Sequence, residues 1–350
     1  TAKRIISCLS NLQLTYDDND KEYRPIFDPM IQKQTNHQLN EIKNPKDLEN
    51  KIIGCTAIIL TGLCYKINKN YLEIGLSFLK KITVSSIDNQ GFTRSRNIKQ
   101  LIFFLKYFVL IREWFKEAQV EVPDHIEENI YYFGQGYAFI RQNIATDLLF
   151  NVNNNSNTYD LDNYLKRLGY KFKNENKDYG GYIILKNKKI CLAMDAGSSP
   201  NSKYTHDYQS GALSFEIISN GKKLITNCGY YKKNNQNLNE ISKSSAVHST
   251  LIIDDNSSCK FTKKRDKLIL KTGLKITQRN SVCEKNYWKI SAAHDGYFKK
   301  FKSIHERNIE FFPEQMKFVG NDKIIRKKNN HNLKFDIRFH LEPNIKLMKT

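Results

Sequence analysis

Apolar residues follow two different periods along this chain. From Lys51 to Ile67 ("KIIGCTAIILTGLCYKI") and from Asn97 to Glu117 ("NIKQLIFFLKYFVLIREWFKE") they occupy nearly every side of a helical projection. A helix that is apolar all round packs on more than one face, which predicts layered helices rather than isolated surface helices. Pro123 ahead of "DHIEEN" predicts another helix start, with acidic residues in its first turn meeting the positive end of the dipole. After the polar tract "NVNNNSNTYDLDN" the pattern shortens to alternating segments: "GYIILKNKKICLAMDAG", "HSTLIIDD", "KLILKT", "YWKISAAHDGY", "HERNIEFF" and "FDIRFHLEP". Period two bounded by turn residues predicts strands. In "LSFEIISNGKKLITNCG", Asn220-Gly221 supplies the positive φ angles of a type I′ hairpin turn. The expected fold is α+β and multidomain: helices over residues 1–155, then an antiparallel β domain over residues 156–350.

A length of 350 residues is compatible with two such domains, and 40% hydrophobic residues suffice for packed cores. The formal net charge of +20 points toward an acidic partner, whether nucleic acid, an anionic membrane or an anionic polysaccharide. The lysines are dispersed and accompany many Asn and Ile residues, so biased amino-acid usage accounts for much of that charge. With neither an RNP-type motif nor a concentrated basic helix, nucleic acid is the least favoured partner. The two apolar runs fall short of the roughly 18–20 residues of a membrane span and read as core helices. Seven cysteines without CxxC spacing, mostly in apolar runs, read as buried free thiols, which favours a reducing setting. A cytoplasmic and a periplasmic location both stay open. The start at Thr1 reads as the interior of a longer protein.

Four groups of residues carry candidate chemistry. Tyr204–Gln209, Asn227 and His248 lie at the ends of neighbouring strands and can converge. Gln209, Asn227 and His248 form a weak zinc set, because amides are poor ligands and bring no charge; a hydrogen-bonded cluster tying three strands is the competing expectation. In "GFTRSRN", Arg94 and Arg96 precede a long helix and could hold a carboxylate or sulfate, with Asn97 beside them; a solvated, helix-capping loop is the alternative. In "YYFGQGYAF", two glycines flank Gln135 among aromatics, which suits a sugar-binding wall as well as core packing. His294, His305 and His340 lie in or beside strands and read as satisfied structural histidines. His37 and His125 read as lying at helix starts.

Taken together, "LAMDAG", "LSFEIISNGKKLITNCG", "SSAVHSTLIIDD", "SAAHDGY", "IHERN" and "RFHLEP", in this order, resemble the signature of the heparinase II/III-like family of polysaccharide lyases. "DNQGFTRSRN" and "YYFGQGYAF" extend the resemblance into the helical half. It implies an incomplete α/α toroid followed by a β-sandwich-like domain, with more helices before Thr1 and more strands after Thr350. It also implies β-elimination on uronate-bearing anionic polysaccharides, for which a base takes the C5 proton, an acid protonates the leaving O4, and a donor neutralises the carboxylate. Aligned on "LSF", the family's H-x-H-x-D positions fall on Asp207, Gln209 and Gly211, with His206 displaced by one. The zinc Asp falls on Asn227 and the last zinc His on His248. The helical-domain Tyr falls near Gln100 and the Asn-His pair near Glu49-Asn50, while "TNH" occurs at Thr35 to His37. The resemblance thus implies His206 or Tyr208 for proton transfer and Arg94, Arg96, Asn97 and Gln135 around the uronate. Zinc is implied weakly or not at all. A catalytically silent carbohydrate-binding or assembly protein on the same scaffold remains the alternative.

Overall fold

The computed structural model describes all residues except 12–22, 44–46, 66–68, 142, 143, 145, 152–158, 232–235, 265, 266, 328–331, 344, 347, 349 and 350. The boundary expected at residues 155 and 156 falls outside that set. By packing, the chain divides into Thr1–Gly91 with Gln100–Gly134, and Phe92–Lys99 with Gln135–Thr350.

The first unit is helical. It contains α1 (Ala2–Leu9), α2 (Arg24–Glu41), α3 (Leu48–Cys64), α4 (Lys69–Ser86), most of α5 (Ile98–Glu117) and the start of α6 (Asp124–Arg141). Every residue of α3 from Ile52 to Leu63 is buried, as its all-round apolar sequence predicts. Two glycines set how closely α3 and α4 approach. A Cβ on Gly62 would come within 2.5 Å of the Leu72 nitrogen, and one on Gly75 within 2.7 Å of the Ile59 side chain. The buried hydroxyls of Thr35 and Thr61 meet at 3.1 Å and join α2 to α3. Phe133 of α6 packs on Phe104 and Phe108 of α5, so "YYFGQGYAF" forms a helical segment rather than a separate wall. His37 lies well inside α2, while His125 lies in the first turn of α6. No helix among the described residues is long and apolar enough to cross a membrane.

The second unit is built on antiparallel sheets. Six strands run β1 (Asp178–Tyr179), β2 (Tyr182–Lys186), β3 (Ile190–Asp195), β4 (Phe215–Ser219), β5 (Lys222–Thr226) and β14 (His340–Leu341), in that spatial order. Four others pair as β12 (Lys317–Arg326), β11 (Ser303–Phe312), β10 (Trp288–His294) and β9 (Ile276–Cys283). Two smaller pairs are β6 (Leu251–Ile253) with β13 (Phe335–Ile337), and β7 (Lys260–Lys264) with β8 (Lys267–Thr272). Alternate residues of the two large sheets meet in one core: Ile183, Leu185, Leu192, Met194, Phe215 and Ile217 pack with Trp288, Ile290, Ile309 and Phe311. This is a sandwich, and each such side chain stabilises it by roughly 1.5–3 kcal/mol relative to exposure. Ser219 pairs with Lys222 around Asn220 (φ 48°) and Gly221 (φ 77°), the expected type I′ geometry.

The opposite face of the six-stranded sheet is also buried, since β3 has no exposed residue. It carries Tyr182, Asp195 and Glu216, which hold the 92–99 and 147–151 segments of the same unit. "HSTLIIDD" is shorter as a strand than expected. His248 to Thr250 form a tight turn in which the Thr250 nitrogen donates to the His248 carbonyl. The Ser249 and Thr250 hydroxyls bond the Thr226 and Ala212 carbonyls, so ladder pairing begins only at Leu251.

Candidate functional site around the His206 loop

Arg96 is held in a left-handed conformation, at φ 58°, by the tight turn of "FTRSRN". Its guanidinium enters a cage lined by backbone carbonyls: Nη1 donates to Gly197 at 3.0 Å and Ser198 at 3.3 Å, and Nη2 donates to Gly181 at 3.0 Å. Nη2 also pairs with Asp195, whose second oxygen accepts from Asn151 at 2.9 Å. The Tyr182 hydroxyl donates to the Arg96 carbonyl at 2.6 Å. Burial alone opposes the Arg96 charge, and the Asp195 carboxylate more than offsets it. Gly197 is required for this approach, because a Cβ there would meet the guanidinium carbon at 2.3 Å. The expectation that Arg96 holds a substrate carboxylate therefore meets a group already committed to the protein. Arg94, two residues earlier, is exposed. Asn97 is buried, and its carbonyl accepts from the Thr93 hydroxyl. Gln135 is half-buried on α6, and its carbonyl accepts from Asn174.

His206 lies on the loop after a short 3-10 turn and is exposed, with 54% of its side chain accessible. Its Nδ1 stands 2.8 Å from Asp207 Oδ1, which also receives the Tyr230 hydroxyl at 3.4 Å. Asp207 thereby fixes one ring nitrogen of His206 on a side chain that is more than half accessible. Tyr208 is different in kind. It is buried beside Cys259, its hydroxyl has no hydrogen-bond partner, and burial raises its pKa well above the phenol range. It cannot ionise readily, so of the two expected proton-transfer groups only His206 is presented for chemistry. Lys243 supports this loop from within, donating to the His206 and Leu268 carbonyls.

Gln209, Asn227 and His248 do converge on strand ends, but their polar atoms face inward. Gln209 donates to the Gly229 and Ser242 carbonyls. Asn227 donates from its side chain and backbone to Glu216 Oε1, both at 3.1 Å, and its Oδ1 accepts from Ser249 at 2.9 Å. Glu216 is fully buried, with Lys223 Nζ 3.0 Å from its other oxygen. His248 is packed so closely that a Cβ on Gly211 would lie 3.2 Å from its Nδ1. Neither ring nitrogen has a hydrogen-bond partner, and burial, with His340 nearby, pushes its pKa down to about 3. Zinc is held by imidazole, thiolate and carboxylate groups that turn a free lone pair toward it, and neutral amides are poor substitutes. Here Gln209 presents a donor, Asn227 Oδ1 is already occupied, and the one carboxylate, Glu216, is neutralised by Lys223. Among the described residues no three His, Cys, Asp or Glu side chains stand together as a metal-binding group. The residues present do not fit a zinc site.

A second polar cluster lies on β10, β11 and β12. His294 and His305 are directly paired across β10 and β11. The Gly296 N–H donates to His294 Nδ1 at 3.0 Å, His294 Nε2 meets His305 Nδ1 at 3.2 Å, and His305 Nε2 meets Asp322 at 2.7 Å. These partners fix both tautomers: each ring is neutral, protonated on Nε2, and fully satisfied. Arg307 completes the set with two bonds to Asp322 and two more to the Leu213 and Ser249 carbonyls. The structural role expected for His294 and His305 agrees with this arrangement. Asp322 and Arg307 went unnoticed in sequence because their pairing depends on strand register.

Residues 174–350 match the family described as heparinase II/III-like, C-terminal. No curated protein sequence matches the chain. Among solved structures, a heparinase III crystal structure is similar over 93% of this chain and 55% of its own, at TM-score 0.70 and 16% identity. A heparan sulfate lyase mutant from Pedobacter heparinus is similar over 93% and 54%, at TM-score 0.71 and 12% identity. A further heparinase III gene product is covered over 56% of its length by the whole of this chain, at TM-score 0.76 and 15% identity. The chain thus spans a little over half the length of these structures, and at such identities the likeness concerns the fold.

Proposed function

The chain belongs to the heparinase II/III-like family, and from that premise we propose that it acts on a uronate-bearing anionic polysaccharide by β-elimination, with His206 as the base. The observation that carries the reading is the exposed His206–Asp207 pair, in which a carboxylate orients a histidine side chain that is more than half accessible. Elimination needs little else from that residue. His206 Nε2 takes the C5 proton, the C5–H electron pair delocalises toward the carboxylate and then forms the C4=C5 double bond, and the C4–O4 bond breaks with its electrons leaving on O4. Proton return to O4 comes from the same imidazolium or from water. The uronate carboxylate must be neutralised for its neighbouring proton to become acidic, and we assign that role to the exposed Arg94. No step calls on zinc, because Gln209, Asn227 and His248 are not arranged to hold it.

One set of observations favours the silent alternative, a protein that binds the polymer without cleaving it. Arg96 is caged, Tyr208 is buried, and the Gln209 and Asn227 amides bond inward, so most positions where the family carries chemistry serve the scaffold here. A panel of uronate polymers separates the readings. Elimination creates an unsaturated uronate whose ultraviolet absorbance rises with time, and His206→Ala abolishes the rise. Binding without any rise in absorbance on every polymer refutes elimination and leaves the binding protein.

A further inference from the structure

We infer that the second unit carries an anchoring site for acidic saccharide, separate from the His206 nitrogen and formed beneath the β7–β8 hairpin. A cavity of about 630 Å³ lies there, bounded by the hairpin, the Ser257–Cys259 segment and the short helix Phe298–Phe301. Its size falls within the roughly 300–1,000 Å³ of small-ligand pockets. Five lysines line it, Lys243, Lys260, Lys271, Lys299 and Lys300, against a single acid, Glu240. Two of the five donate to neutral acceptors, Lys243 to carbonyls, with the Asp207 charge acting on it from outside the cavity lining, and Lys300 to Asn256 Oδ1 at 2.6 Å. Lys260, Lys271 and Lys299 are exposed, and among the described residues none of them joins an ion pair.

So many like charges around one concavity repel one another, and an anion with several charges relieves that repulsion. The walls also suit a sugar. Phe261 and Phe301 contribute apolar surface, and Ser244, Ser257 and Thr272 contribute hydroxyl-bearing groups. Lys243 links this cavity to the proposed chemistry, since the same side chain lines it and holds the His206 carbonyl. A polymer segment seated there would be tethered next to the loop that carries the base. The ligand class, a carboxylated or sulfated saccharide, rests on the polysaccharide reading above; the existence of an anion-selective cavity does not.

The test is calorimetric titration of the full chain with a heparan sulfate hexasaccharide, its carboxyl-reduced and desulfated counterpart, and inorganic sulfate. The cavity variant is Lys260→Gln/Lys271→Gln/Lys299→Gln, and the control changes exposed lysines elsewhere, Lys188→Gln/Lys285→Gln/Lys317→Gln. Losing three charge-assisted contacts is expected to weaken the hexasaccharide about tenfold or more, while the control changes affinity by less than about threefold. The neutral counterpart should bind the parent weakly. Equal affinity of parent and cavity variant overturns the site, and so does inorganic sulfate binding as tightly as the hexasaccharide. Binding lost in the cavity variant, with no unsaturated product from the parent, upholds the site and refutes elimination. Elimination by the parent, with affinity unchanged in the cavity variant, does the reverse. A parent that binds no anionic saccharide overturns both.

Discussion

Acid should unlock the sandwich through His294 and His305. Both rings are neutral in the fold, and the geometry gives an added proton nowhere to go. On His294 Nδ1 it would face the Gly296 N–H, and on His305 Nδ1 it would face the His294 Nε2–H. Burial depresses both pKa values first, and the Arg307 charge adds to the depression; the Asp322 hydrogen bond opposes it only at His305. An unfolded imidazole titrates near 6.5. Below that pH the unfolded chain binds protons that the fold refuses, so stability falls as pH falls, whereas above it these groups contribute no pH dependence. At about pH 5 a ring held neutral costs about 2 kcal/mol against a typical total of roughly 5–15 kcal/mol; His294, pushed well below its ordinary range, bears that cost, and His305 adds to it in the same direction. His248 acts in the same direction. The carboxylates enter later: Asp322, depressed to about 2, loses its contribution only below its unfolded value of 3.8, and Glu216, raised by burial, works the opposite way.

The sandwich has its own optical reporter. The chain contains two tryptophans, Trp114 in the helical unit and Trp288 in the sandwich core, so Trp114→Phe leaves Trp288 alone to report. Urea unfolding in that background at about pH 7 and about pH 5 measures the loss. His294→Gln supplies the amide equivalent of a neutral ring, accepting from Gly296 and donating to His305, and it cannot titrate. The acid-induced loss should shrink by about 2 kcal/mol in this variant. If His294→Gln keeps the full pH sensitivity of the parent between those two values, the tautomer argument is wrong.

Three other outcomes follow from the geometry around the His206 loop. Asp195→Asn should destabilise the second unit by roughly 3–5 kcal/mol, read as a fall in the urea midpoint, because it leaves the Arg96 charge buried without its partner. Tyr208→Phe should change stability by less than about 1 kcal/mol and leave any elimination rate intact, since its buried hydroxyl has no hydrogen-bond partner; a lost rate would return Tyr208 to the chemistry. Dialysis against a chelator should leave the melting midpoint of the parent unchanged, whereas Gln209→His/Asn227→Asp should melt lower than the parent and recover when zinc is added. The new carboxylate would stand beside Glu216, so a midpoint in that variant insensitive to zinc would show that the three positions do not converge on a ligand.

The sequence carried the fold through patterns that packing has to satisfy. Ile52 to Leu63 read as buried because only a helix enclosed on several sides tolerates that run, and Asn220-Gly221 read as a two-residue turn because few other pairs accept two positive φ angles. The site was harder, because chemistry depends on which partner each polar atom finds. Arg96 looked available from the spacing of "RSR"; its neighbours Gly197 and Asp195 are about a hundred residues away, and only the sheet brings them to it. His206 and Tyr208 looked equivalent two residues apart, yet one stands in solvent beside Asp207 and the other is buried against Cys259. Gln209 and Asn227 were legible because an amide in place of a charged ligand changes what a site can hold whatever the surroundings. What the sequence could not indicate was where the amides turn instead. Both bond inward to groups that need partners, the Gly229 and Ser242 carbonyls and the buried Glu216 carboxylate, so the strand ends that a metal would have gathered are held together by neutral hydrogen bonds.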